Sequence, residues 1–337
     1  MVLQHGGQLL TVAQQYNIPV EKWLDLSTGV APYHYPIPVI PPAVWAHLPQ
    51  TNAALLKAAT AYYGCSSVLP VHGSQSVIQR LPDVWLSYRQ RNIKNDGAIS
   101  VYLPEQGYKE HEKSWREAGA EIYFYKDLPV DQPLLRNCVF VLINPNNPTG
   151  ELTSRSQVLA LLKAVKEQQG LLIIDEAFMD TAEGNHSIIS YAQDPALIVL
   201  RSMGKFFGLA GLRLGFVAAC SAWLTLISDN QGPWAVSGPA QFVGAKALAD
   251  NAWQRQQLER LRPLSIRLSN LLGRIFDVES QGTLLFQTVY LKQAKAVYSK
   301  LCGQAVYVRL TDNQLALRFG IPLEQDFVRL ERALLAL

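Results

Sequence analysis

The fold is decided by residues 138–175, whose sequence is CVFVLINPNNPTGELTSRSQVLALLKAVKEQQGLLIID. The runs at its two ends, 138–143 and 171–174, are continuously apolar, which is typical of buried strands in a parallel sheet. Between them, apolar residues recur at helical spacing over residues 155–168. This order predicts a strand–helix–strand unit in which a crossover helix joins two parallel strands.

Similar apolar runs at 98–103 and 196–200 extend this pattern on both sides. Repeated strand–helix–strand units predict an α/β fold with a doubly wound sheet. The predicted strands end where polar motifs begin, at Pro104, Asn144 and Asp175. Because ligands of open α/β sheets bind at the carboxyl ends of the strands, we expect the functional site at that edge.

The chain divides into three parts in this interpretation. Residues 43–236 form a large domain, and residues 237–337 form a smaller α+β domain. Residues 1–42 are rich in proline, which predicts an irregular arm that docks on the rest of the fold. This arm is grouped with the small domain. A long helical stretch is expected from 241 to about 274, kinked or interrupted by Pro263. Further strands are expected at 284–291, 305–310 and 315–319.

Composition disfavours several classes of protein. The 337 residues include 30 basic and 27 acidic ones, and the net charge of +3 is too small to indicate nucleic-acid binding. No apolar run reaches the roughly 18 residues that span a bilayer, and the first residues lack the pattern of a signal peptide. The four cysteines form no CxxC pair, and the six histidines show no metal-ligand spacing. We expect a cytoplasmic protein with reduced cysteines, no metal, and no nucleic-acid or membrane partner.

Lys205 is the principal candidate for a catalytic residue. It follows a predicted strand in a glycine-rich turn. The surrounding residues, 202–213, are smaller and more apolar than those of a typical exposed loop. Burial and nearby cations lower the pKa of a lysine and make its amine a nucleophile. Ser202 and Arg213 in the same segment are suited to bind a phosphate group. Taken alone, a lysine in a turn is more often a solvated surface residue.

A second anion-binding element is predicted at residues 73–75, Gly-Ser-Gln. They precede a predicted helix over Val77–Trp85, and the unpaired N–H groups at the start of a helix bind anions. Taken alone, the segment is better explained as an ordinary helix cap by Ser74.

Three polar or aromatic residues follow the predicted strands. Asp175 ends a strand, and its carboxylate can pair with a protonated pyridine nitrogen. The side-chain amide of Asn147 can donate a hydrogen bond to a hydroxyl group on the same pyridine ring. Tyr108 either stacks on the face of that ring or packs in the core. Together with the amine of Lys205, which can react with an aldehyde, these are the groups that a pyridoxal phosphate (PLP) site requires.

Asn147, Asp175, Lys205 and Arg213 follow one another in the order found in the fold-type I PLP enzymes of the aspartate aminotransferase superfamily. The chain resembles these enzymes from about His5 to the C-terminus. Within that superfamily it is similar to the histidinol-phosphate aminotransferases, and more similar to the threonine-phosphate decarboxylases of cobalamin biosynthesis. The segments that carry this similarity are residues 5–7, 23–29, 31–32, 48–49, 73–75, 108–111, 175–178 and 317–322.

The resemblance implies PLP as the cofactor and a homodimer as the working form. The implied cofactor contacts come from Gly73, Ser74, Gln75, Tyr108, Asn147, Asp175, Phe178, Ser202, Lys205 and Arg213. Phe178 stands where aminotransferases of this branch often carry a tyrosine. We therefore expect Asn147 to hold the ring hydroxyl alone.

The resemblance also implies a small phosphorylated amino acid as substrate. The implied substrate contacts come from His5, Thr28, Gly29, Asn147, Arg309 and Arg318. Arg318 matches the substrate-binding arginine of the superfamily, and Arg309 matches a second arginine of branches with phosphorylated substrates. Without this resemblance, Arg309 would be a surface arginine on a strand.

The implied reaction is decarboxylation of L-threonine O-3-phosphate to (R)-1-amino-2-propanol O-2-phosphate. The alternative is transamination by a histidinol-phosphate aminotransferase, which uses the same cofactor and fold. A third hypothesis is a catalytically silent protein that binds or regulates a partner. Retention of Lys205, Asp175, Asn147 and Arg213 disfavours this third hypothesis.

Overall fold

The computed structural model describes residues 5–92, 97–129 and 133–337. Its N-terminal part contains helix α1 (Leu9–Tyr16), strand β1 (Leu24–Asp25), helix α2 (Pro42–Ala46) and helix α3 (Ala53–Tyr63). The expectation of an irregular arm is wrong for residues 9–25, since the prolines on which it rested begin at Pro32. Trp23 is buried there, and β1 pairs in parallel with Val306–Tyr307, so this stretch packs against the C-terminal part.

A seven-stranded sheet forms the centre of the molecule. Its strands are β2 (Leu69–Val71), β3 (Ser100–Pro104), β4 (Glu121–Tyr125), β5 (Val139–Ile143), β6 (Leu171–Asp175), β7 (Leu197–Ser202) and β8 (Gly215–Ala219), in the spatial order β2-β8-β7-β6-β5-β3-β4. The predicted parallel strands are present, but β8 runs antiparallel to β2 and β7. The connection between β7 and β8, residues 203–214, contains no crossover α-helix, which a parallel neighbour would normally need.

Helices cover both faces of this sheet. Helices α4 (Gly73–Asn92), α5 (Lys109–Glu117) and α7 (Ser221–Gln231) pack on one face, whereas α6 (Arg155–Glu167) and α3 pack on the other. Successive residues of β5 alternate between the two hydrophobic cores, so this strand is buried on both sides. Helix α4 begins at Gly73, four residues before the predicted start at Val77. The Gly-Ser-Gln segment is therefore the first turn of the helix.

The C-terminal part begins with helices α8 (Gly238–Ala249) and α9 (Asn251–Phe276). Of the two alternatives predicted at Pro263, the interruption is wrong, because α9 continues through that residue, and the kink stays a prediction. The helical stretch breaks at Asp250 instead. There the backbone leaves the helical conformation, and the carboxylate accepts a hydrogen bond from the Trp253 N–H at the start of α9.

A four-stranded antiparallel sheet follows in the order β12-β13-β10-β9. The remaining elements are β9 (Gln281–Thr283), β10 (Phe286–Tyr290), α10 (Ala294–Gly303), β11 (Val306–Tyr307), β12 (Arg309–Leu310), β13 (Ala316–Gly320) and α11 (Phe327–Leu335). The strand predicted over 305–310 is divided at Val308, so β11 pairs with β1 and β12 with β13. This division places Arg309 directly opposite Arg318.

The two sheets meet at the turn after β5. The Thr288 hydroxyl on β10 donates a hydrogen bond of 2.7 Å to the Pro148 carbonyl, which anchors the 147–150 turn. The predicted domain limits, 1–42 with 237–337 and 43–236, stay a prediction. In the described part of the chain, no helix has both the length and the apolar composition needed to cross a membrane.

Candidate active site

One pocket lies at the carboxyl ends of β3, β5, β6 and β7, the edge of the sheet where the sequence placed the site. It is lined by all the residues proposed for cofactor or substrate: His5, Thr28, Gly29, Gly73, Ser74, Gln75, Tyr108, Asn147, Asp175, Phe178, Ser202, Lys205, Arg213, Arg309 and Arg318. Residues more than 300 positions apart in the chain are therefore brought to one cavity. Their individual roles follow from the contacts that each one makes.

The start of α4 and the turn after β7 form the anion-binding end of the pocket. Unpaired N–H groups at the start of the helix attract an anion. Gly73 has a left-handed φ of +69°, and a Cβ at this position would lie 2.9 Å from Nη2 of Arg213. The residue must therefore be glycine for the guanidinium to approach the helix start. With the buried Ser202 beside them, these groups fit a phosphate group.

Asp175 is held in place by two hydrogen bonds. Its Oδ1 accepts from the Ala177 N–H at 3.1 Å, and its Oδ2 accepts from Nε2 of His111 at 3.1 Å. His111 is 1% exposed and lies on α5. No role was predicted for His111 from the sequence, although it follows Tyr108 by only three residues. This arrangement fixes the carboxylate at the end of β6, where it can pair with a pyridinium nitrogen.

Lys205 is partly buried on the turn between β7 and β8, with its Nζ 5.4 Å from the centre of the Phe178 ring. Burial, together with the positive charges of Arg318 and Arg213, lowers the pKa of Lys205 from 10.5 to about 8. A substantial fraction of its amine is therefore unprotonated near neutral pH. This is the state in which a lysine attacks an aldehyde.

Asn147 and Tyr108 are both oriented by neighbouring side chains. Oδ1 of Asn147 accepts a hydrogen bond from Nη1 of Arg318, which leaves its amide N–H groups to donate into the pocket. Burial raises the pKa of Tyr108, so its hydroxyl stays neutral and donates to Oε1 of Gln75 at 2.8 Å. Both residues line the pocket, and their contact with a planar ring stays a prediction. Phe178, without a hydroxyl, contributes only an apolar surface.

Arg318 is a buried cation that also lines the pocket. Its Nη2 donates to the Ser27 carbonyl at 2.9 Å, and its Nε has no partner among the described residues. Burial and the positive charge of Arg309 lower the pKa of Arg318 to about 10, so it remains charged at neutral pH. A buried cation without a carboxylate partner favours binding of an anion.

Arg309 lies beside Arg318 but has a different environment. Its Nη2 donates to Oδ1 of Asp312 at 2.8 Å, and Asp312 also lines the pocket. No role was predicted for Asp312 from the sequence. The two arginines therefore form one region for anionic groups, but only one of them is paired with a carboxylate in the part of the chain that is described.

The N-terminal segment closes one side of the pocket. Nε2 of His5 lies 2.6 Å from Oε1 of the buried Glu110, and the Tyr307 hydroxyl donates to the His5 carbonyl at 3.3 Å. The Gly7 N–H donates to the Ser27 hydroxyl, which places Thr28 and Gly29 at the pocket wall. These contacts place His5, Thr28 and Gly29 at the pocket, and their contact with a substrate stays a prediction.

An ion-paired cluster lies directly behind the pocket. Arg201, the residue before Ser202, donates from Nη1 to Oε2 of Glu176 at 2.7 Å and from Nη2 to Asp180. All three side chains of the cluster are almost fully buried. Because Glu176 follows Asp175, this cluster links the ends of β6 and β7 that carry the functional residues.

The pocket residues fit PLP on structural grounds. The glycine-lined cradle at Gly73 and Arg213 suits its phosphate, and Asp175 suits its ring nitrogen. Asn147 is oriented to donate to its ring hydroxyl, and Lys205 provides an amine of lowered pKa for its aldehyde.

Comparisons with known proteins agree with this geometry. The family described as aminotransferase class I and II matches residues 45–325. The chain is 39% identical over 335 residues to a threonine-phosphate decarboxylase from Pseudomonas aeruginosa, covering 99% of this chain and 98% of the relative.

Two solved structures support the same fold. The L-threonine-O-3-phosphate decarboxylase of Porphyromonas gingivalis superposes with a TM-score of 0.74 at 18% identity, covering 92% of this chain and 98% of that one. The histidinol-phosphate aminotransferase of Sinorhizobium meliloti, solved in complex with pyridoxal-5'-phosphate, gives a TM-score of 0.76 at 17% identity, covering 99% and 97%. The family match and the full-length relative confirm the predicted fold class and cofactor, and the chain belongs to the class I and II aminotransferase family.

Proposed function

We propose that this protein is a PLP-dependent decarboxylase of L-threonine O-3-phosphate that forms (R)-1-amino-2-propanol O-2-phosphate for cobalamin biosynthesis. The observation that carries the proposal is the pairing of Arg309 and Arg318 in the pocket of Lys205. A substrate with a carboxylate and a phosphate presents two anionic groups to this pair. The full-length relative at 39% identity, a threonine-phosphate decarboxylase, supports the same substrate.

The choice of reaction depends on how the pocket holds the substrate. When bound, PLP supplies an electron sink for the Cα bond that lies perpendicular to its ring. Arg309 and Arg318 hold the anionic groups of the substrate and so fix its rotation about Cα. For decarboxylation, the phosphate must be the group that anchors the substrate, so that the bond from Cα to the carboxylate can lie perpendicular to the ring. Asn147, held by Arg318, would donate a hydrogen bond to the ring hydroxyl.

A proton must replace the departing carboxylate at Cα. Lys205 is suited to carry it, because its pKa of about 8 allows the amine to take up and release a proton near neutral pH. Asp175, oriented by His111, would pair with the ring nitrogen. The pocket thus provides an anchor, a proton carrier and a carboxylate for the ring.

The protein is further proposed to act as a cytoplasmic homodimer. Val39, Trp45 and Leu48 are 94%, 66% and 65% exposed, and large exposed apolar side chains such as these support a protein interface. Val39 lies in the proline-rich arm, which needs a surface on which to dock, and Trp45 and Leu48 follow that arm closely in the chain. All four cysteines are free thiols, as is usual in a reducing compartment.

Substrate comparison tests the proposal against its alternative. The purified PLP-loaded enzyme is incubated with L-threonine O-3-phosphate, or with L-histidinol phosphate and 2-oxoglutarate. We expect kcat/KM to be higher for threonine phosphate by at least about a hundredfold. Comparable or faster transamination of histidinol phosphate would instead assign the histidinol-phosphate aminotransferase function. A preparation that binds PLP but converts neither substrate would contradict both assignments.

A further inference from the structure

Asp312 is a carboxylate in the candidate active site to which neither the cofactor nor the proposed reaction assigns a role. Within the described lining of the pocket, the acidic residues are Asp175 and Asp312. Asp175 faces the position of the ring nitrogen. Asp312 instead lies at the anion-binding arginines, where a negative charge opposes the binding of a phosphorylated ligand.

The position of Asp312 is fixed by the turn between β12 and β13. The Thr311 hydroxyl donates to Oδ1 of Asn313 at 2.7 Å, and the same oxygen accepts from the Leu315 N–H at 3.1 Å. The Ala316 N–H in turn donates to the Thr311 hydroxyl at 3.0 Å. These hydrogen bonds tie the turn to itself, so the carboxylate of Asp312 is presented to Arg309 by a constrained backbone.

The charge of Asp312 acts on both arginines. It neutralises Arg309 through the hydrogen bond of 2.8 Å, and the side chains of the pair are only 15% and 29% exposed, so water screens them incompletely. It also offsets the repulsion between Arg309 and Arg318, whose backbones face each other across the strands. A phosphate that binds Arg309 must therefore compete with an anion that belongs to the protein itself.

We propose that Asp312 is an affinity-determining residue that weakens the binding of phosphate at Arg309. Its effect is to keep phosphorylated ligands, and above all the product, from being held too tightly for turnover. Differences in affinity at one site appear mainly in the dissociation rate, so an internal competitor of this kind speeds release. The identity of the phosphorylated product rests on the proposed function, but the competition for Arg309 does not.

The variant Asp312→Asn tests this competition, because asparagine has almost the same shape, keeps one acceptor oxygen for Arg309 and removes the negative charge. The measurement is the affinity of the PLP-loaded protein for inorganic phosphate, by isothermal titration calorimetry. We expect Asp312→Asn to bind phosphate about tenfold more tightly than the wild type. The matched control is Glu279→Gln, which removes one negative charge from an exposed residue outside the pocket and should leave the affinity unchanged.

The same substitution in an Arg309→Met background tests whether Arg309 is the cation for which Asp312 competes with phosphate. There we expect Asp312→Asn to change phosphate affinity less than about twofold, since the cation for which it competes is gone. In turnover, Asp312→Asn should lower both KM and kcat for threonine phosphate, and the product should inhibit more strongly.

Weaker phosphate binding in Asp312→Asn would overturn the proposal and would show that the carboxylate orients Arg309 for its ligand. An unchanged affinity, or an equal gain in the Arg309→Met background, would also overturn it. The inference and the proposed function fail separately. If the wild type does not decarboxylate threonine phosphate but Asp312→Asn still binds inorganic phosphate more tightly, only the proposed function is wrong.

Discussion

Replacing Arg318 by methionine should raise the pKa of Lys205, whereas replacing Asp175 by asparagine should lower it. Burial is the main cause of the lowered pKa of this lysine, but the charge of Arg318 lowers it further and the charge of Asp175 opposes the shift. Removing one or the other charge must therefore move the pKa in opposite directions. This prediction concerns the protein without cofactor.

The expected size of these changes follows from the pKa of about 8 for Lys205. At about pH 7.5 this value leaves roughly a quarter of the amine unprotonated, against roughly one part in a thousand for a lysine with the usual pKa of 10.5. Each removed charge should shift the midpoint by about one pH unit. At neutral pH, Arg318→Met therefore reduces the reactive amine about tenfold, and Asp175→Asn increases it.

The assay is competitive labelling of the cofactor-free protein with acetic anhydride over a series of pH values. Mass spectrometry compares acetylation of the peptide that carries Lys205 with that of Lys163, whose side chain is 81% exposed. Reactivity should be low below the midpoint, where the amine is protonated, and should rise above it. A wild-type midpoint near the usual lysine value would refute this reasoning, as would shifts of both variants in the same direction.

Other predictions concern the remaining roles. Lys205→Ala should abolish turnover and the absorbance of covalently bound PLP; a reducible covalent adduct in this variant would mean that another lysine carries the cofactor. Asp175→Asn should retain PLP but lower kcat by more than about tenfold, and a rate within a few-fold of wild type would exclude its pairing with the ring nitrogen. Arg309→Met should weaken threonine phosphate binding roughly ten- to a hundredfold and leave unphosphorylated threonine almost unchanged; equal losses would indicate a carboxylate or purely structural contact. In sedimentation, the wild type should be a dimer and Trp45→Glu should favour the monomer, and an active wild-type monomer would reject the dimer.

The central strands and the main pocket residues could be predicted from sequence because their signals are local. Strands β5 and β6 are buried on both faces, so their sequences are continuously apolar and end abruptly at polar residues. Asp175 and Asn147 stand at those ends, and the sheet topology brings the ends together. Lys205 was recognisable because its turn is too apolar for an exposed loop.

Features that depend on distant contacts could not be predicted in this way. His111 contacts Asp175 across 64 positions of the chain, and although it belongs to the segment 108–111 that resembles the family, the sequence does not indicate that its ring contacts Asp175. The role of Asp312 depends on the register that sets Arg309 opposite Arg318. The break at Asp250 was missed because a proline is a stronger local signal than a capping carboxylate.

The central claim, that this active site removes the carboxylate of threonine phosphate, is tested most directly by following the fate of that carbon. The PLP-loaded enzyme is given L-threonine O-3-phosphate enriched with carbon-13 at the carboxyl carbon, with and without 2-oxoglutarate. We expect the label to leave entirely as carbon dioxide, with an equal amount of aminopropanol phosphate, whether or not 2-oxoglutarate is present. Label retained in a 2-oxo acid, with glutamate formed only when 2-oxoglutarate is added, would contradict the claim and identify a transaminase.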